Sequence, residues 1–175
     1  MLEVGVSPGL HPKEVALTHT EARSHFGAWA ITSSPLILGL DVRDSTVMDN
    51  VWDIISNKEA LAVNEEYAGS SGLRIASSPV NQTFPFCGYL YADGCSIPSW
   101  ELFSKPLLNG AAALLFINHG DSNVNITINT NIVPGLQCSQ CNVRDIWQHQ
   151  DLGSKGPILT INELASHDSV FYTLH

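Results

Sequence analysis

Basic residues are scarce in this chain, and long apolar runs are missing. Lys and Arg number eight among 175 residues, against seventeen Asp and Glu, for a net charge of −9. A surface so poor in cations offers no footprint for nucleic acid or for an anionic membrane, and neither is expected as a partner. The longest unbroken apolar run, Ala111 to Ile117, covers seven residues, well short of the roughly twenty that cross a bilayer as a helix. Residues 1–10 have neither a basic start nor a long apolar middle, so no signal peptide is read there. A secreted parent would carry its signal upstream. Charged residues make up only 14% of the chain and hydrophobic ones 44%, a balance that excludes a disordered chain and supplies a packed core. The length suits one domain, or a small domain with a piece of another.

Cysteines are few as well, four in all. Cys87 and Cys95 flank a turn-rich stretch, while Cys138 and Cys141, with Ser139-Gln140 between them, follow the turn signal Pro134-Gly135. Four cysteines admit three pairings, of which 87–95 and 138–141 close the shortest loops. The tripeptides Asn81-Gln82-Thr83 and Asn125-Ile126-Thr127 are glycosylation acceptors, and Asn81 and Asn125 point with the cysteines to an oxidising compartment. Zinc competes for the Cys-x-x-Cys pair, but a second close pair is wanting, since 87 and 95 are too far apart. The histidines suggest no metal either. His19 and His25, six apart, do not share a helix face, and His149, His167 and His175 fall on different strands or turns. His167-Asp168-Ser169 contains the three residue types of a hydrolytic triad, but a triad assembles in space rather than from neighbours in sequence. No metal and no cofactor is expected.

Hydrophobic period divides the chain in two. Met1-Leu2-Glu3-Val4-Gly5 reads as a buried strand, followed by a loop punctuated by Gly5, Pro8, Gly9 and Pro12. Thr18 and Glu21 form a capping-box signature, and Ala22, Phe26, Trp29, Ala30 and Ser33 recur at helical spacing, up to the stop at Pro35. Leu36 to Leu40 is apolar at successive positions, as in a strand buried on both faces. Thr46 with Asp49 opens a second helix with the stripe Val47, Val51, Ile54 and Ile55, and Asn57 reads as its left-handed terminator. This strand–helix–strand–helix order is that of an α/β structure with a parallel sheet. Past the Gly/Ser-rich Tyr67 to Gly72 the period falls to two. Ala112 to Asn118 is an apolar strand, 123–129 alternates cleanly, and Val143 to Trp147, Ile158 to Ile161 and Val170 to Leu174 follow, with turns at Leu152-Gly153 and Lys155-Gly156-Pro157. Short strands at this spacing predict an antiparallel sandwich.

Three stretches together resemble glycoside hydrolase family 27, the α-galactosidases and α-N-acetylgalactosaminidases. They are residues 1–5, the run Arg23-Ser24-His25-Phe26-Gly27-Ala28-Trp29-Ala30, and Ser34-Pro35-Leu36-Ile37-Leu38-Gly39-Leu40-Asp41-Val42-Arg43. Ile54 to Asn64 continues the likeness, and 98–175 is similar to the family's C-terminal β domain. Residues 75–97 match no recognised pattern. The resemblance implies a fold of α/β plus all-β class: the last two β/α units of a (β/α)8 barrel over 1–66, a linker over 67–74 and an antiparallel β-sandwich over 75–175. It also implies a retaining glycosidase whose parent acts on terminal α-linked galactosides and is secreted or lysosomal/vacuolar. In such an enzyme one carboxylate attacks the anomeric carbon while another donates and recovers a proton. Both lie on earlier barrel strands, and a substrate-binding Asp precedes the residue matching Met1, so no catalytic or substrate-binding residue is assigned in this sequence. Val6 and Leu40 stand where the family often has Asn. The missing N-terminal barrel portion is the partner the resemblance implies, and this stretch alone is expected to be inactive.

Some residues invite a role on their own. Asp41 and Arg43 close the second strand, where a barrel places functional groups, but an ion pair anchoring the loop explains them more simply. Glu3 would need a second carboxylate as an acid–base group, and no nearby position supplies one. Phe26 and Trp29 belong to a helix core. Trp100 and Trp147 could serve as sugar-stacking platforms, which defines the alternative function, a carbohydrate-binding or scaffolding β-sandwich with a vestigial α/β arm, although core positions suit both residues better.

Overall fold

The computed structural model of the chain describes residues 1–6, 16–84 and 94–175. Three helices come first: α1 (His19–Ile31), α2 (Ser45–Ile55) and α3 (Lys58–Glu65). Ten strands follow: β1 (Leu73–Ser77), β2 (Asn81–Phe84), β3 (Cys95–Pro98), β4 (Trp100–Pro106), β5 (Ala112–Asn118), β6 (Val124–Asn129), β7 (Cys141–Asp145), β8 (Gln150–Lys155), β9 (Ile158–Leu164) and β10 (Ser169–Leu174). Six of them form one sheet in the order β1-β4-β5-β10-β7-β8, and β2-β3 and β6-β9 form two-stranded sheets. Every strand pair is antiparallel.

At the centre of the large sheet lies β5, whose seven residues are all buried. Successive side chains of a strand point to opposite faces, so a strand apolar from Ala112 to Ile117 needs cover on both sides. Ala112, Leu114 and Phe116 join Leu102, Tyr172 and Leu174 on one face, against Ile126, Ile128, Leu159, Ile161 and Leu164 of the β6-β9 sheet. This is the core of the sandwich. Ala113, Leu115 and Ile117 take the other face, with Phe171, Phe26, Ala30, Ile54 and Val63 of the helical layer. The layers therefore run helix, sheet, sheet.

The helical layer approaches closely. Gly27 of α1 sits over β5 with no room for a side chain, since a Cβ there would fall 2.9 Å from Leu115 Cδ1 and 3.1 Å from the Trp147 ring. Buried residues of α1 include Ala22, Ser24, Phe26, Gly27, Ala30 and Ile31, an arc broader than a single stripe, because the sheet covers one side and the opening segment with the other helices covers the rest. Polar ties surround this apolar contact. Arg23 grips Asp168 with Nη2 at 2.5 and 2.6 Å from its two carboxylate oxygens, and Ser24 donates to the His167 carbonyl at 2.9 Å. Glu59 of α3 takes Arg144 at 2.8 and 3.0 Å and His149 at 2.7 Å. Arg144 holds the Glu59 carboxyl below its usual value. Lys105, fully buried on β4, donates to the Val63 and Asn64 carbonyls, two groups that the end of α3 leaves without helical partners.

Several local expectations change in the folded chain. The cap of α2 is Asp44, which accepts from Thr46 and Val47 N–H, and not Thr46; the helix starts earlier because a carboxylate two residues upstream already satisfies its first donors. Asn57 is not a left-handed terminator. Its φ is −66°, and it caps α3, accepting from Glu59 and Ala60 N–H at 3.0 Å each. Its other amide atom donates across the interface to the Ile146 carbonyl at 3.0 Å. Leu152-Gly153 is no turn but part of β8, where a register shift against β7 uses Gly153 at φ 72°. Leu36 to Leu40 does not form a doubly buried strand. It makes a single parallel bridge, Leu2 to Leu38, and Ile37 is 60% exposed; a strand cannot be covered on both faces without neighbours on both sides.

Gly72 joins the two periods of the sequence. Its N–H donates to the Ile31 carbonyl at 2.9 Å, and a Cβ built on it would lie 2.4 Å from that backbone oxygen. Gly72→Ala is therefore expected to destabilise the chain by about 1–3 kcal/mol, the usual range for overpacking. Urea unfolding of the two proteins checks it, and an unchanged midpoint refutes the close approach.

Candidate functional site

Functional groups of a parallel α/β arrangement gather past the C-terminal ends of its strands, so the ends of the two bridged segments come first. Leu2 N–H donates to the Ile37 carbonyl at 2.8 Å. Beyond the bridge, Gly5 turns at φ 68°, and Val6 N–H returns to the Glu3 carbonyl at 3.1 Å. On the second segment Asp41 accepts from Arg43 three times, from N at 3.0 Å and from Nε and Nη2 at 2.9 Å each. Arg43 holds the Asp41 carboxyl below its ordinary range, and its own pKa is raised in return. The pair is open to water and closes on itself over three residues, the anchoring arrangement that the sequence suggests. Glu3 meets a different partner, as its N–H donates to His25 Nε2 at 3.2 Å.

Two cavities adjoin these groups. One, of about 330 Å³, lies beside Gly5 and Val6 and is walled by Leu17, Ala22, Val47 and Val51, with Asn50 and His19 as its polar members. His19 faces Asp53 at 2.9 and 3.1 Å. Among the described residues that line it none is a carboxylate, whereas glycoside hydrolysis needs a pair of acids. The second, of about 230 Å³, opens between α1 and the sandwich, where His25, His119 and His167 meet. Each of the three is spoken for: His25 by Glu3 N–H, His119 by Glu101 at 3.0 Å and His167 by Asp121 at 3.3 Å. No cluster of three or more His, Cys, Asp or Glu residues suited to a metal occurs among the described residues.

The remaining candidates are placed as follows. Cys138 and Cys141 are bonded to each other, with Cα atoms 5.3 Å apart, so those sulfurs do not hold zinc. Cys95 is disulfide-bonded; Cys87 lies outside the described residues. Asn81 and Asn125 are exposed on β2 and β6. Trp100 and Trp147 are both partly buried and packed against the two cores. Trp147 tilts against Phe171 at 5.4 Å and donates to Ser169 Oγ at 3.3 Å. The sequence takes Asn57 for a helix stop, weighs His25 only as a metal ligand and gives no role to Lys105. Asn57 had a usable signal, an Asn directly before a helix-forming run; Lys105 and His25 had none, because their partners stand 41 and 22 positions away.

Residues 98–174 match the α-galactosidase C-terminal β-sandwich domain. The chain is 29% identical over 175 residues to α-galactosidase 3 of Arabidopsis thaliana and 31% identical over 176 residues to the α-galactosidase of Coffea arabica. Each alignment covers 99% of this chain, but only 34% and 38% of those proteins. The chain thus spans a little over a third of the length of the relatives it matches. The crystal structure of α-galactosidase I from Mortierella vinacea superposes with a TM-score of 0.70 at 27% identity, over 91% of this chain and 36% of that one.

His25 gives this region a pH signature. Burial pushes its pKa below 6.5, outweighing the opposing pull of Glu3. A folded value below the unfolded one means that the contribution to stability is complete above pH 6.5 and is lost as the pH falls toward the folded value. Protonation also removes the ring nitrogen's lone pair from Glu3 N–H. In His25→Gln this part of the acid-side decline is expected to vanish, leaving a flatter melting temperature between pH 7 and 5 than in the parent. Equal slopes would contradict it.

Proposed function

We propose that this chain, which belongs to glycoside hydrolase family 27 as the C-terminal portion of an α-galactosidase, acts as the scaffold part of a retaining enzyme that removes terminal α-linked galactose. On this reading residues 1–66 are the last two β/α units of a (β/α)8 barrel, 67–74 the linker and 75–175 the sandwich that braces them. The two reacting carboxylates come from other strands of the barrel, and this stretch by itself is inactive. The chemistry is carried by carboxylates without a metal or other cofactor, and the whole enzyme is secreted or lysosomal/vacuolar.

The observation that carries the reading is the double burial of β5. A sandwich built only to bind sugar has no use for a sheet whose second face is apolar and covered by helices. Here that face is committed to α1 and α3 through Leu115, Phe171 and the ties at Arg23, Glu59 and Lys105. The helical layer in turn leaves Met1, Ile37, Val42 and Trp52 exposed. Exposed apolar residues on bridged segments and on α2 are what the remaining barrel strands and helices would cover. Support for the substrate comes from the relatives, which are α-galactosidases. The partly buried Trp100 and Trp147 speak against the alternative of a sugar-stacking module.

The purified 175-residue chain is expected to release no nitrophenol from p-nitrophenyl α-galactoside above a protein-free blank, from pH 4 to 8. A rate that exceeds the blank and scales with protein concentration would overturn the assignment of the reacting acids to other strands.

A further inference from the structure

We propose that Asn125 is a site of N-linked glycosylation, whose glycan the exposed strand face and β-bulge accommodate in the folded chain. Within β6 the side chains alternate, and Ile126 is buried while Asn125 and Thr127 are both exposed. An Asn-x-Thr acceptor laid along a strand places its amide and its hydroxyl on one face, because side chains two apart point the same way. That face is the outer, solvent side of the β6-β9 sheet.

Asn125 is also held in a particular way. The β6-β9 ladder slips between Val124 and Ile126, and Glu163 adopts φ 52° opposite the slip. Asn125 Oδ1 accepts the Glu163 N–H at 2.8 Å. A backbone N–H can only donate, so the amide oxygen is fixed as the atom that caps the bulge. Nδ2, the atom that takes the sugar, is not used in that contact. Modification therefore leaves the cap intact. The disulfide between Cys138 and Cys141 requires the oxidising route along which such transfer takes place.

In the transfer, Nδ2 attacks the anomeric carbon of a lipid-diphosphate-linked oligosaccharide. The new C–N bond forms as the carbon–oxygen bond to the diphosphate breaks, the lipid diphosphate departs with the electron pair, and the amide nitrogen gives one proton to a base. Asn81 and Thr83 repeat the pattern on β2, both exposed, so the test is run in an Asn81→Gln background to count a single site.

The full chain, behind a cleavable leader, is translated into microsomes and followed by gel mobility. One step that endoglycosidase H removes is expected; it persists in Thr127→Ser and disappears in Thr127→Ala and in Asn125→Gln. Transfer precedes folding, so a variant that folds poorly still reports. Leader cleavage without the step, or a step that survives Thr127→Ala, overturns the site. On the secreted, purified chain, enzymatic removal of the glycan is expected to leave the melting temperature unchanged, whereas Asn125→Gln, which loses the bulge cap, melts lower. A chain that melts higher once the glycan is removed would show that the folded face does not accommodate it.

Discussion

A strand buried on both faces governs this molecule. β5 is apolar from Ala112 to Ile117, and a pleated backbone sends alternate residues to opposite sides. One side is answered by β6 and β9, the other by α1 and its neighbours. Each large side chain so buried contributes on the order of 1.5–3 kcal/mol, and neither cover could be withdrawn without exposing half of the strand. The sandwich and the helical layer are thus two faces of one packing problem, although the sequence places them in separate stretches.

Apolar contact alone does not orient a helix on a sheet; the polar ties around it do. Arg23 with Asp168, Glu59 with Arg144, and Asn57 with the Ile146 carbonyl each join a helix residue to the sandwich at a different point. Lys105 adds a buried ammonium at the end of α3, where its charge suits the negative pole of the helix. Burial lowers its pKa and Glu66 works against that shift. The carbonyls it meets are ones a helix terminus leaves without partners, so the side chain is desolvated but not idle. Four such contacts at separated points fix both position and rotation of the helical layer.

The same kind of tie recurs through the described residues. Several of the described carboxylates are engaged in ion pairs: Asp41 with Arg43, Asp53 with His19, Glu59 with Arg144 and His149, Glu101 with Arg74 and His119, Asp168 with Arg23. Arg43 and Arg144 hold the Asp41 and Glu59 carboxyls below their usual range, which favours their ionised forms.

Much of this could be read along the chain. The Thr18–Glu21 capping box, the alternation over 123–129 and the short strands beyond Tyr67 depend on neighbours a few residues apart, and such local preferences survive folding. The sandwich, the helix α1 and the family likeness followed from them. Competing local signals misled at two caps, where Asp44 took the place of Thr46 and Asn57 became a start rather than a stop, while pairing with β7 drew Gly153 into a strand. Of the candidate site, the sequence offered the Asp41–Arg43 pair, two residues apart and so legible locally, but not the contact of His25 with Glu3 N–H, 22 positions away. By itself the sequence determined the periods, the caps at short range and the acceptor tripeptides, because each is set by spacing within a turn or two of chain. Only the tertiary structure decided that β5 faces helices as well as strands, that Lys105 ends α3, and that Asn125 caps a bulge. Those contacts join residues roughly forty or more positions apart, and no local pattern encodes which distant group will arrive.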